Sequence, residues 1–178
     1  MQFIKADISL LKSIMNVIND GRKTLGAMGI DQWQGTYPDD NQIIDDINND
    51  SSYVVIDNEG FVCGTVMLTC DIQDYYEKID GNWTSETSGN IKYLTIHRLA
   101  VYSSSLKQGV ASRIIDEATK IALENKCLSL RVDTHPDNKP MQSYLNKHGF
   151  VLCGRVELCD AQTPSKLRLA YEKIISYI

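Results

Sequence analysis

The chain has 178 residues, within the range of about 100 to 200 residues that is typical of one domain. Hydrophobic residues make up 43% of it, which is too apolar for a disordered chain, and no run of about 18 apolar residues predicts a membrane span. Its 18 basic and 23 acidic side chains give a net charge of −5. Because no basic cluster occurs, nucleic-acid binding is disfavoured.

The N-terminal residues and the cysteines indicate a reduced, cytoplasmic setting. Residues 1–7 begin as a strand and lack the long apolar core of a secretory signal. The cysteines are odd in number, form no CxxC pair, and four of them fall inside predicted strands, where cysteine behaves as a small hydrophobic residue. They are Cys63, Cys70, Cys127, Cys153 and Cys159. We therefore expect neither disulfides nor a zinc site.

The remaining pattern alternates between strands and helices. After the first strand, helical spacing runs over residues 8–28 with a break near Gly21, and a loop rich in glycine and aromatic residues follows at 29–39. A short acidic helix passes through 43–47, and the polar insert 71–89 is predicted to be mobile. Strands are predicted at 53–57, 61–69, 92–102, 128–133, 151–158 and 166–173, and helices from 110 and from Pro140.

Residues 99–112 predict a strand, a loop of small residues and the start of a helix. The first backbone N–H groups of a helix have no intrahelical partner and carry the positive end of the helix dipole, so such a loop can bind a phosphate. No GxxxxGK[ST] and no GxGxxG occurs, which disfavours a P-loop nucleotidase and a dinucleotide-binding fold. On these residues alone, small side chains used only for packing remain an equal alternative.

The segments downstream of this loop carry a family resemblance. The pattern LAV, QGVAS, DTHPDNKPMQ and KHGF resembles the GCN5-related N-acetyltransferase (GNAT) family, most strongly over residues 96–150 and in all over about 1–175. That family's loop has the form [R/Q]xxGx[G/A]. Here Gly109 and Ala111 keep the small positions, while Leu106 replaces the first residue. Since the loop acts mainly through backbone N–H groups, this departure weakens one contact without removing the phosphate site.

The resemblance implies one N-acetyltransferase domain over residues 1–178. Its α/β fold is a mixed, mostly antiparallel sheet with a splayed strand pair and flanking helices, and its cosubstrate is acetyl-CoA, with no metal. Strand residues would pair with the pantetheine, the loop residues would bind the pyrophosphate, and Asn138 would hydrogen-bond the pantetheine arm. On turn chemistry alone, Asn138 is a turn residue. The implied cofactor-binding residues are Leu99, Ala100, Val101, Lys107, Gln108, Gly109, Val110, Ala111, Ser112 and Asn138.

The acceptor side carries weaker signals. Trp33, Gln34 and Tyr37 lie on the loop that covers the acceptor cleft in this family, although Trp33 equally fits a gap between the first two helices. His97 is a candidate proton acceptor, or else a half-buried histidine with its hydrogen bonds satisfied.

The general acid of the resemblance is missing from this chain. Many family members place a tyrosine seven residues after the asparagine, and that position is Leu145 here. Tyr144 is one residue early, a rotation of about 100° on a helix, so we expect it to face away from the thioester sulfur.

These observations predict an acyltransferase that moves an acetyl group from acetyl-CoA to a primary amine of a small molecule or peptide by direct attack. The alternative from a different class is a non-catalytic acyl-CoA-binding sensor or regulatory domain. No nucleic acid or membrane partner is expected, and a homodimer is left open. The net negative charge weakly favours a cationic acceptor, although a small net negative charge is also common among cytoplasmic proteins in general.

Overall fold

The computed structural model describes residues 1–85, 92–158 and 166–175, which form one mixed sheet flanked by helices. The strands are β1 Gln2–Lys5, β2 Ser52–Ile56, β3 Val62–Thr69, β4 Asp80–Gly81, β5 Tyr93–Val101, β6 Ser129–Thr134, β7 Val151–Glu157 and β8 Leu167–Ile174. The α-helices are α1 Leu11–Ala27, α2 Asp40–Asn48, α3 Val110–Glu124 and α4 Lys139–Lys147, with 3₁₀ turns at Ile8–Leu10 and Ser103–Ser105.

The strands lie in the order β1-β2-β3-β5-β6-β8-β7-β4, and only the β5–β6 pair is parallel. That pairing runs from Tyr93 to Ile96 of β5, although β5 continues to Val101. Beyond Ile96 the two strands separate. This confirms the predicted mixed, mostly antiparallel sheet with a splayed strand pair.

A bulge in β5 lies at the point of separation. Three steps of β5, from His97 to Ala100, face only two steps of β3, from Met67 to Thr65. Arg98 lies within this bulged segment, and its φ is +51°. Because a bulge bends its strand and increases the local twist, it turns β5 away from β6.

The two faces of the sheet carry separate cores. On one face α3 packs through Ile114, Ile115 and Ala118, each at most 2% exposed, as its apolar spacing predicts. On the other face α1 and α2 pack through Val17 and Ile43. The helices therefore stabilise the strands on both sides of the splay.

Three expectations from the sequence are wrong. Helix α1 continues through Gly21, where a Cβ would lie 3.5 Å from the Trp33 ring, so the glycine permits a close approach instead of ending the helix. The insert is packed over its described part, 71–85, because Tyr76 is fully buried; residues 86–89 lie outside the described structure. Cys70 follows β3 and Cys127 precedes β6, so neither is inside a strand; their sulfurs lie 3.5 Å apart.

A buried ion pair attaches the insert to the sheet. The guanidinium of Arg131 lies between the rings of Trp83 and Tyr93, 4.0 and 3.9 Å from their centroids, and its Nε donates to Glu172 Oε1 at 2.9 Å. Ser85 of the insert donates to the same carboxylate through its backbone N–H and its hydroxyl. Both charged side chains are fully buried, so this cluster fixes the insert against β6 and β8.

Candidate active site

A cavity of about 860 Å³ occupies the region where β5 and β6 separate. Ile121 of α3 and Met141 of α4 line it on one face of the sheet, while Tyr37 and Asp46 line it on the other. This volume is in the range of small-molecule sites. The splay therefore connects a surface beside α3 and α4 with a second surface beside α2.

The N-terminus of α3 lies at the end of β5 and has the geometry of an anion site. Gly109 precedes the helix in the left-handed conformation, with φ +85°, and no side chain caps this terminus within the described structure. A Cβ at Gly109 would meet no atom within 4 Å. Leu106, Lys107 and Gln108 are exposed, so the first N–H groups of α3 are open to a ligand.

The other predicted residues of this loop hold it in place. Val110 is buried against β3, where a Cβ on Gly64 would lie 2.6 Å from its Cγ1. Ala111 is half-buried, and the hydroxyl of Ser112 lies 3.2 Å from Nε2 of His148. The helix terminus is thus anchored on both sides.

The predicted pantetheine strand presents one edge to the splay. Ala100 and Val101 pair with β3 through Thr65 and Gly64, whereas β6 pairs with β5 only up to Ile96 in the described residues. Leu99 lines the cavity directly. The edge of β5 that faces β6 therefore resembles an unpaired strand edge able to bind an extended amide chain.

Asn138 caps helix α4. Its Oδ1 accepts a hydrogen bond from the backbone of Met141 at 3.2 Å, and its Nδ2 donates to Gln32 Oε1 at 3.1 Å. Gln32 also accepts from the backbone N–H of His135 at 3.4 Å and lines the cavity. Because a side-chain amide has two N–H donors and Asn138 uses one of them here, a pantetheine contact would not have to break either bond. Sequence reasoning missed Gln32, because a pair 106 residues apart leaves no local pattern.

The three predicted acceptor residues are placed differently. Trp33 lines the cavity and also packs against the core beneath α1. Tyr37 lines the cavity, and burial raises the pKa of its phenol. Gln34 does not line the cavity; it is exposed, and its Nε2 donates to the backbone of Arg22 and Gln32 at 3.0 Å.

Arg98 at the bulge forms a buried polar cluster with Tyr37 and Asp46. Its Nε and Nη2 donate to the two oxygens of Asp46 at 2.7 and 2.6 Å, and its Nη1 donates to the Tyr37 hydroxyl. The two charged side chains are 9% and 5% exposed. A charged residue inside an apolar strand was the only signal that could have identified this cluster.

The two weak catalytic candidates differ in their position. His97 lines the cavity and its Nε2 donates to Gln73 Oε1 at 3.2 Å; burial and the nearby Arg98 lower its pKa to about 3, so it is neutral at pH 7. Tyr144 does not line the cavity and stacks on His148, with ring centroids 4.0 Å apart. Leu145 is completely buried in the core against α3.

Asp133 lies on the other arm of the splay. Its Oδ2 accepts hydrogen bonds from the hydroxyls of Tyr75 at 3.3 Å and Tyr76 at 2.9 Å, and Nε of Arg168 is 4.0 Å from Oδ1. Burial raises the pKa of this carboxyl.

Neither a metal-binding cluster nor a membrane-spanning helix occurs among the described residues. They contain no group of three or more His, Cys, Asp or Glu side chains placed to hold a metal ion. A membrane-spanning helix, which needs both length and an apolar composition, is not found among them either.

Known proteins share this architecture. The model of the acetyltransferase (GNAT) family matches residues 22–150, whereas no curated protein is similar enough to be counted as a relative. A GNAT-family acetyltransferase from Streptococcus agalactiae is 32% identical, with a TM-score of 0.85 over 99% of this chain and 96% of its own. One from Listeria monocytogenes is 18% identical, with a TM-score of 0.72 over 98% and 94%.

A more distant structure shares the fold as well. The NatC complex, solved with a Gag peptide and CoA, contains a chain that is 15% identical, with a TM-score of 0.69 over 98% of both chains. The family model spans most of the sequence, including the splay and the α3 loop, and the Streptococcus structure covers nearly the whole of it. The chain belongs to the GNAT family of acetyltransferases.

Proposed function

We propose that this protein transfers an acetyl group from acetyl-CoA to a primary amine by direct attack. The observation that carries the proposal is the open splay between β5 and β6 beside the uncapped N-terminus of α3. The first feature suits an extended amide chain and the second suits a pyrophosphate, and these two groups are joined in CoA. Membership of the GNAT family and the CoA in the NatC structure support the same cosubstrate.

Acetyl-CoA supplies an acyl group activated as a thioester. The loop 107–112 would hold its pyrophosphate through backbone N–H groups, and the free edge of β5 from Leu99 to Val101 would align its pantetheine. In the transfer, the amine nitrogen forms a bond to the thioester carbon, the carbon–sulfur bond breaks, the nitrogen loses one proton and the sulfur gains one. The chain's main contribution is the positioning of the two reactants in one cavity.

The leaving thiolate has no phenol in the position where the family resemblance expects one. Leu145 is buried in the core and Tyr144 does not line the cavity. Thiol pKa values are near 8.5, so CoA leaves as a stable thiolate that water can protonate. This missing phenol is also the observation that favours the alternative, an acyl-CoA sensor without turnover.

Release of free CoA thiol tests the proposal against this alternative. The protein would be incubated with acetyl-CoA and a panel of polyamines, amino acids, aminoglycosides and peptides with free N-termini, with a reaction lacking amine as the control. Amine-dependent release together with an acetylated product by mass spectrometry is the expected result. A rise in melting temperature with CoA but no release with any amine would establish the sensor, and the absence of both would refute CoA binding.

A further inference from the structure

Asp133 occupies the point where β6 leaves β5. Thr95 and Arg131 face each other in the parallel ladder, so two residues further along each strand His97 and Asp133 point to the same face of the sheet. That face carries the α2 side of the cavity, and both side chains line it. An amine that enters from this side therefore meets Asp133 at the apex of the splay.

One carboxylate oxygen of Asp133 is available to a ligand. The side chain is 10% exposed, and Oδ2 is held by the hydroxyls of Tyr75 and Tyr76. Among the described residues, Oδ1 accepts no hydrogen bond, and its closest cation, Nε of Arg168, is 4.0 Å away. The oxygen therefore keeps room for a donor from a ligand, and an ammonium group would give it a charge-assisted hydrogen bond.

The cations of the cavity are already committed. Arg98 uses Nε, Nη1 and Nη2 for Asp46 and Tyr37, and Arg168 donates to the backbone of Leu167 beside its approach to Asp133. His97 is neutral because burial lowers its pKa to about 3.

Acidic side chains outnumber basic ones in the described lining of the cavity. The described lining contains the carboxylates Asp45, Asp46, Asp50, Asp71 and Asp133. The same described lining contains two arginines, Arg98 and Arg168, and Asp50 is also paired with Lys5 at 3.1 Å. An acceptor carrying a carboxylate would therefore meet an excess of acidic side chains and, in the part of the chain that the structure describes, no uncommitted cation in the lining.

We propose that the acceptor is a cationic amine without a carboxylate, such as a diamine or polyamine, and that its ammonium group binds Oδ1 of Asp133. This rests on the proposed acetyltransferase function and names its substrate class. Loss of a charge-assisted hydrogen bond of this kind is expected to lower kcat/KM about tenfold or more.

Matched acceptors test the proposal on the unmodified protein. 1,5-Diaminopentane and L-lysine differ by the carboxylate alone. L-lysine methyl ester retains the carbon skeleton of lysine and both of its amines, and its methyl group removes the negative charge. The diamine and the ester are expected to exceed lysine about tenfold or more in kcat/KM. Equal or better use of lysine would overturn the substrate class while leaving the acetyltransferase function in place.

Two variants test whether Asp133 binds the amine. Asp133→Asn keeps the shape and removes the charge, and Asp116→Asn makes the same charge change on the exposed face of α3. Asp133→Asn is expected to raise KM for the diamine about tenfold or more, with the CoA-induced rise in melting temperature retained, while Asp116→Asn behaves as the wild type. An unchanged KM in Asp133→Asn would overturn the assignment.

Calorimetric titration with 1,5-diaminopentane keeps the two proposals separable, because it reads binding whether or not turnover occurs. Diamine binding that is lost in Asp133→Asn supports the site even if no thiol is released, and it would then assign the site to the sensor alternative. No diamine binding to the wild type, in the presence of CoA, would overturn the site. The comparison of diamine with lysine needs no variant, so it also decides the substrate class if Asp133→Asn does not fold.

Discussion

A valine at position 109 tests the phosphate site, because its side chain would extend into the open space before α3. Gly109 has φ +85° and a Cβ there meets no atom within 4 Å, so the substitution strains the backbone without a clash. A left-handed L-residue costs about 1 to 2 kcal/mol. In a domain of this size each kcal/mol changes the melting temperature by about 2 to 4 °C, which predicts a decrease of about 2 to 8 °C.

Cofactor binding gives the second quantity in the same assay. A ligand at a hundredfold excess over its Kd stabilises the folded state by about 2.7 kcal/mol, so CoA is expected to raise the wild-type melting temperature by about 5 to 11 °C. We expect Gly109→Val to lose this rise, because the valine occupies the space that a phosphate needs. The two effects separate cleanly when the protein is melted with and without CoA.

Gly60 provides the matched control for this experiment. It has the same φ of +85° and the same open space within 4 Å, but it lies in the turn between β2 and β3. Gly60→Val should therefore show the same decrease in melting temperature and a full response to CoA. A full CoA response in Gly109→Val would refute the phosphate site, and loss of the response in both variants would show that strain, and not the missing site, is responsible.

Three further predictions concern side chains away from this loop. Tyr144→Phe should lower kcat in the thiol-release assay less than tenfold, well below the 10² to 10⁴ of a true general acid, because Tyr144 does not line the cavity; a hundredfold loss with CoA binding unchanged would make it the acid. Glu172→Gln should lower the free energy of unfolding at pH 7 by about 3 to 5 kcal/mol, since it leaves the charge of Arg131 buried and unpaired. Burial opposes ionisation of Glu172, but its hydrogen bonds outweigh burial and hold its pKa below the ordinary value, so the wild type gains this stability above about pH 4.3 and loses it on acidification. Urea unfolding at several pH values should then show the gap between wild type and variant closing in acid, and a constant gap would contradict the ion pair. Cys70 should be alkylated rapidly at pH 7, because hydrogen bonding from Cys127 lowers its pKa to about 7; Cys127→Ala should slow the reaction, as measured by mass mapping of each cysteine peptide, and an unchanged rate would contradict that contact.

The fold was predictable because its signals are local. Ile114 and Ile115 of α3 recur at helical spacing and are buried as that spacing predicts. In α4, one residue rotates a side chain by about 100°, and Tyr144 stacks on His148 and does not line the cavity. Position 145, where the resemblance places the tyrosine of other family members, was not predictable in this way, because Leu145 is fully buried in the core and does not line the cavity either.

The polar contacts of the cavity were not predictable, because they join residues far apart in sequence. Arg98 and Asp46 are 52 positions apart, and Gln32 and Asn138 are 106 apart. Asp133 looks like the last polar residue of an ordinary strand until β6 is placed beside β5. Neither periodicity nor a motif encodes such pairs, so the sequence offered a motif for the proposed cofactor side and none for the acceptor side.

These buried pairs fix the walls of the cavity. Arg98 holds Asp46 of α2 and Tyr37 of the loop before α2 against β5, while Arg131 and Glu172 hold the insert against β6 and β8. A buried ion pair adds little stability compared with apolar residues of the same size, but breaking one is costly, so its effect is to fix position. In the reaction that we propose, which depends mainly on aligning an amine with a thioester, fixed walls on both arms of the splay would contribute to rate. Both carboxylate oxygens of Asp46 and of Glu172 accept hydrogen bonds. Asp133 differs, because its Oδ1 accepts none among the described residues, and we assign this oxygen to the acceptor.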